Sequence, residues 1–123
     1  MPWDLKPDRP IYLQLIEEIE LRILSGHYPP GSKLPSVRHM AQEASVNPNT
    51  MQRALSKLEE DGLVITHRTS GRTITEDVKM INKTKNKLAK KQIAEFIEKM
   101  QLLGFEKRET LALINKMLEE MSI

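Results

Sequence analysis

Four polar residues recur at helical spacing in the middle of the chain: Asn49, Gln52, Arg53 and Ser56. On a helix they share one face, while Met51, Ala54, Leu55 and Leu58 occupy the opposite one. Thr50 and Lys57 lie on the flank. The outer face carries no acid until Glu60. Its chemistry suits a nucleic acid. Asn and Gln can bond bidentately to adenine and Arg to guanine, and Thr and Ser hydroxyls suit phosphate oxygens. Taken alone, the same face also describes an ordinary solvated helix, so its neighbours decide the reading.

Two neighbours add basic groups. The stretch His67-Arg68-Thr69-Ser70-Gly71-Arg72 holds two arginines and no acid. It reads as the turn of a hairpin, where Gly71 lets the backbone approach a surface. Arginine is drawn into narrow minor grooves by their negative potential, so Arg68, Gly71 and Arg72 are candidate DNA-binding residues. Ser36 reads as the cap of a short helix, its hydroxyl accepting from an orphan backbone N–H, and Arg38 follows it. The acids Glu59, Glu60 and Asp61 sit at the C-terminal end of the polar-faced helix, where they oppose its dipole. They point away from DNA if the helix N-terminus leads into the groove, as helix-turn-helix docking predicts.

The elements that must hold these residues follow from periodicity and punctuation. Tyr12, Leu15, Ile16, Ile19 and Ile23 predict a first helix. Pro10 is expected in its first turn and Ser25-Gly26 at its end. Pro29-Pro30-Gly31 is a turn, and Lys33-Leu34-Pro35 a short extended piece. A second helix over about 37–44 places Val37, Met40, Ala41 and Ala44 on one face. Ser45-Val46 is a tight connection. Asn47 then caps a third helix with Pro48 at its first position, and Gly62 ends it. Leu63 to Thr66 reads as a strand, Thr69 to Gly71 as a turn and Thr73 to Thr75 as the returning strand. The expected fold is mainly α with a small β-hairpin: a winged helix-turn-helix over residues 1–77, then a two-helix hairpin over 78–123.

Composition bounds the rest. In 123 residues, 39% are hydrophobic and 4% aromatic, so any core is modest. Without cysteine there is no disulfide, thiolate metal site or cysteine nucleophile. His27, His39 and His67 are far apart, and no metal, cofactor or catalytic constellation is expected. No signal peptide or membrane-length apolar run is visible, which predicts a cytoplasmic protein. Residues 1–77 carry nine Lys and Arg against eleven Asp and Glu, whereas 78–123 carry ten against six. DNA binding by the first part must therefore rest on where its charges point.

Several stretches resemble the GntR family of bacterial regulators and, within it, the short YtrA-like subfamily. They are Pro10 to Leu15, Gly26 to Arg38, Asn47 to Leu55, Glu60 to Val64 and the wing from Arg68 to Thr73, together spanning about residues 7–77. The resemblance implies that Arg38 contacts the DNA backbone or a guanine, with similar contacts from Asn49, Thr50, Gln52, Arg68 and Gly71. Arg53 fits the subfamily pattern. Many family members have arginine where this chain has Pro48 and Gln52, so the operator need not follow the wider family. The resemblance also implies dimerisation through a short helical tail and control of transporter genes.

In that tail Ala89, Ile93, Phe96, Ile97, Met100 and Leu103 form one apolar stripe. Gly104 breaks it, and Leu111, Ile114, Met117, Leu118 and Met121 form another. Two short helices are expected. Burial in a homodimer, with Ile93, Phe96, Ile97, Met100, Leu111, Ile114 and Leu118 as dimerisation residues, is the economical solution; packing on the first helix is the alternative. The six lysines between 79 and 91 suit a solvated face or flanking phosphates. The expected function is a homodimeric repressor on an inverted-repeat operator in double-stranded DNA. A winged-helix module binding only protein, and an effector site at the dimer interface, are the rival and the possible addition.

Overall fold

A computed structural model describes residues 1–122. The elements are α1 (Ile11–Leu24), α2 (Val37–Ala44), α3 (Pro48–Glu60), β1 (Val64–His67), β2 (Gly71–Ile74), α4 (Val78–Leu102) and α5 (Lys107–Met121). This is a winged helix-turn-helix followed by two helices. Two compact units divide the chain, one over Met1–Thr84 and one from Lys85 onward.

The first unit is built on α3, which packs against α1, α2 and β1. Its apolar face, Met51, Ala54, Leu55 and Leu58, is essentially solvent-free. Leu15, Ile19 and Ile23 from α1, Met40 and Ala41 from α2, and Leu63, Val64 and Ile74 from the wing complete the core. Burying each large aliphatic side chain contributes about 1.5–3 kcal/mol, and this favours the predicted helix faces over other registers. Ile81, in the first turn of α4, is also buried. Pro10 stands one residue earlier than expected: its ψ of 130° is still extended, so it caps α1 from outside.

The turn between α2 and α3 is tight because Ser45 adopts a left-handed φ of 56°. Val46 N–H then donates to the Ala41 carbonyl at 3.0 Å. At the end of α3, Gly62 has φ +84°, and a Cβ there would meet Met80 Sδ at 3.4 Å. Glycine thus serves both the backbone conformation and the close approach of α4.

The N-terminal arm is held down by two buried polar groups. The Gln14 amide accepts from Lys6 N–H at 2.6 Å and donates to the Lys6 and Arg9 carbonyls. Arg22 is 3% exposed. Its guanidinium donates to Glu18, Tyr28 Oη and the Met1 carbonyl, and lies 3.9 Å from the Trp3 ring centroid. A buried cation is tolerated here because its donors are matched by a carboxylate, a hydroxyl and a carbonyl.

The strands pair antiparallel with Val64 opposite Ile74 and His67 opposite Gly71. They are displaced slightly from the expected spans, and Gly71 opens β2 instead of closing the turn. The Lys33 segment joins the outer edge of β2. Leu34 N–H donates to the Arg72 carbonyl at 2.9 Å and Ile74 N–H to the Ser32 carbonyl at 2.8 Å.

Helix α4 is much longer than the short helix expected, running 25 residues from Val78, with its first turns in the first unit and the rest in the second. The lysine-rich stretch is therefore helical. Gly104, at φ +100°, closes the end of α4, where Phe105 N–H donates to the Met100 carbonyl at 3.0 Å. Glu106 and Glu109 then form a capping box at the start of α5. Among the described residues, α4 and α5 share no extended packing with each other.

Candidate nucleic-acid interface

Asn47 starts the reading helix. Its Oδ1 accepts from Asn49 N–H at 2.8 Å, and Pro48 occupies the first helical position. Pro48 costs no hydrogen bond there because that N–H has no intrahelical partner. The Asn49 side chain is left free of the cap and is exposed, as are Gln52, Arg53 and Ser56. Thr50 is half-buried on the flank. Among the described residues, the only side-chain hydrogen bond on this face runs from Gln52 Nε2 to Ser56 Oγ at 3.5 Å. Its length makes it weak, so the amide is free to turn toward another partner. Arg53 is placed differently: its guanidinium stacks 4.3 Å from the Tyr12 ring centroid. Such stacking fixes the direction of the charge.

The acids of α3 stand apart from these groups. Glu59, Glu60 and Asp61 are about 10–18 Å further along the helix axis than Asn49 and Gln52 at 1.5 Å per residue. That exceeds a Debye length of about 8 Å at physiological salt. Asp61 is also engaged by Lys57 at 3.4 Å. Its charge faces back toward α1, where Glu20 is held above the ordinary carboxyl range by burial, by Asp61 and by Glu17. The N-terminal half of α3 is thus the half open to a polyanion.

At α2 the Ser36 hydroxyl accepts from His39 N–H at 3.1 Å. Its own proton remains available to an outside acceptor. Arg38 is exposed, and among the described residues neither it nor Arg68 makes an ion pair. Arg68 lies in the wing turn with Thr69 and Ser70.

Arg72 is not at the tip. It is half-buried, and its Nε is shielded from solvent with no hydrogen-bond partner. It lines an open groove of about 580 Å³ between the wing, Thr69 to Arg72, and the segment Lys33 to Val37 at the start of α2. Gly71 holds φ +86° there, 3.8 Å from the Lys33 side chain by its virtual Cβ. The volume falls in the range of small-molecule sites, about 300–1,000 Å³. Its lining lacks the aromatic walls of such sites. Instead it offers two cations, three hydroxyls and a helix N-terminus, a set suited to a phosphate group.

The structure therefore brings Ser36, Gly71 and Arg72 together, and aligns Asn49, Gln52 and Arg53 on one helix face. Lys33 and Tyr12 were missed by sequence reasoning. Nothing local marks either one. Lys33 reaches the groove through its bridge to Thr73, and Tyr12 meets Arg53 only because α1 packs on α3.

A short helix, a tight turn and a base-competent second helix, flanked by a basic hairpin, define a DNA-binding transcriptional regulator of the winged helix-turn-helix class. The family model described as bacterial regulatory proteins, gntR family, matches residues 11–74, and the chain belongs to that family. It is 42% identical over 103 residues to the uncharacterized HTH-type transcriptional regulator YhcF of Bacillus subtilis, covering 84% of this chain and 85% of YhcF. It is 36% identical to the HTH-type transcriptional repressor YtrA of the same organism, covering 84% of this chain and 80% of YtrA. Among solved structures, a GntR family regulator from Listeria monocytogenes superposes with a TM-score of 0.86 at 38% identity, over 91% of this chain and 98% of that one. The DNA-binding domain of AraR, solved with operator ORX1, superposes with a TM-score of 0.53 at 26% identity, over 61% and 92%. These relatives are regulators of transcription, and the chain is not an enzyme.

Proposed function

We propose that this chain is a cytoplasmic repressor that acts as a homodimer on an inverted-repeat operator. One observation carries the reading: the face of α3 that is free of acid from Asn49 to Ser56, exposed and almost unbonded, on a helix whose opposite face is locked in the core. Asn49 and Gln52 read base edges in the major groove, with Arg53 held in line by Tyr12. Thr50 and Ser36 bond phosphates. Arg38 contacts the backbone or a guanine. Arg68 enters the adjacent minor groove, and Arg72 meets a phosphate in the groove beside Gly71. The repressor in the name of YtrA supports the sign of regulation, and the YtrA-like resemblance supports transporter genes as targets.

The dimer reading is supported by the tail. Ile93, Phe96, Leu111 and Leu118 are exposed, and Ile97, Met100 and Ile114 only half-buried. A second copy would cover them and make the reading two-fold, with half-sites spaced by about one helical turn, roughly 34–36 Å, or a multiple of it.

Selection of duplexes from a random pool, followed by electrophoretic shift, tests both points. The expected site is two-fold symmetric and binds two chains. Gln52→Ala is expected to weaken binding about tenfold to a hundredfold and to relax preference at one position, since a good bidentate contact is worth about 1–3 kcal/mol. Undiminished affinity after loss of Arg38, Gln52 and Arg68 together would instead favour a module that binds protein only. Full affinity of a single chain for one half-site would remove the dimer.

A further inference from the structure

The first half of α4 carries a row of like charges that the recognition surface does not include. Lys79, Lys83, Lys87 and Lys90 fall within an arc of about 80° at 100° per residue, and span about 16 Å of axis. All four are exposed. The far side of the same turns holds buried Ile81 and half-buried Leu88, and half-buried Thr84 and Met80 lie on the flank between. No acid occurs from Val78 to Ala94. Among the described residues none of these lysines makes an ion pair.

Such a row is disfavoured by folding alone. Like charges at i and i+4 cost a few tenths of a kcal/mol per pair. A face needed only for solubility interleaves its signs, as α5 does with Lys107, Arg108, Glu109, Lys116, Glu119 and Glu120. The residues up to 77 meanwhile hold fewer cations than anions. They offer contacts that read bases but little bulk attraction for a polyanion, and bulk attraction supplies most sequence-independent affinity for DNA.

We propose that the Lys79–Lys83–Lys87–Lys90 stripe binds backbone phosphates of duplex DNA flanking the half-sites, supplying the non-specific part of the affinity. The proposal rests on the operator-binding reading above. It adds a surface that contributes affinity without sequence preference.

The test uses the full chain and a duplex enriched from a random pool by the native protein. Fluorescence anisotropy gives the affinity across a salt series. One duplex is trimmed to the half-sites, and another carries one further helical turn on each side. Joint replacement of the four lysines by Gln, which preserves helix propensity, is expected to make the slope of log affinity against log salt shallower by about two to four on the longer duplex. Trimming the flanks is expected to do the same to the native chain and little to the variant. Preference for the selected over a scrambled sequence is expected to stay unchanged. Joint replacement by Arg retains the slope, which separates loss of charge from loss of fold. Native binding with an unchanged slope in the Gln variant overturns the stripe alone. So does binding of the native chain to phosphatidylserine vesicles together with an unchanged DNA slope. Failure of the native chain to bind any selected duplex overturns the operator reading, and the stripe with it.

Discussion

The two units of this chain use the same aliphatic alphabet to opposite ends. Leu55 and Leu58 on α3 are 1% and 0% exposed, whereas Leu111 and Leu118 on α5 are 59% and 56% exposed. In the first unit three helices and a hairpin converge, so each apolar stripe meets another. In the second, among the described residues, α4 and α5 share no extended packing, and their stripes are exposed or half-buried. Amphipathic periodicity therefore shows that a face needs covering, but not what covers it. The first unit closes its own core. The second is left with an exposed apolar surface, which the proposed dimer would cover.

The sharpest way to break this contrast is to truncate a leucine in each unit. Leu58→Ala is expected to destabilise the first unit by about 2–5 kcal/mol, as large-to-small core changes do; urea unfolding reads it. Leu118→Ala is expected to leave unfolding of the dilute chain nearly unchanged and to weaken self-association in sedimentation runs at rising concentration. Equal destabilisation of the dilute chain by both would mean the tail has an internal core after all.

Smaller changes sharpen the picture within the first unit. Gly62→Ala places a Cβ at a left-handed residue beside Met80 and is expected to cost about 1–2 kcal/mol, read as a lower urea midpoint. Ser36→Ala removes the cap of α2 and is expected to cost about 1 kcal/mol. Because the same hydroxyl borders the Arg72 groove, DNA affinity should fall beyond what the lost stability explains. An affinity loss that vanishes when the fold is fully populated would leave Ser36 a cap only.

The smallest effect concerns Glu20. Burial, with Asp61 and then Glu17, raises its carboxyl above the ordinary value. Its proton is therefore held more tightly in the fold. The stabilisation this brings is complete on the acid side and lost as pH rises through the folded value. At neutral pH the ionised group opposes folding. Glu20→Gln is thus expected to raise the midpoint slightly at neutral pH, with the gain fading on acidification. A gain of the same size at acid pH would assign it to packing instead.

Helix three was legible because its two faces differ in kind and its ends carry strong local signals. Asn47, Pro48 and Gly62 act through cap and turn chemistry that needs no distant partner. The wing was legible as a hairpin, though its strands begin and end a residue or two away from the expected places. The shift has a cause outside the hairpin: the Lys33 segment bonds to the far edge of β2 and stabilises pairing as far as Gly71. The length of α4 was obscured by its lysines, which interrupt the apolar pattern without interrupting the helix.

Local order, then, was written in the sequence by itself for the first unit: where α1, α2 and α3 fall, which half of the outer face of α3 is free of acid, and how Asn47, Pro48 and Gly62 begin and end that helix. These depend on backbone conformation and on residues within a turn of one another. Tertiary structure alone decided the rest. It turned Arg72 from a tip residue into one wall of a groove, set Tyr12 under Arg53, and buried Arg22 against Trp3. Each of these joins segments distant in the chain, and no periodicity carries that information. Packing also divided two similar sets of apolar stripes, one sealed inside the first unit and one left exposed on the second.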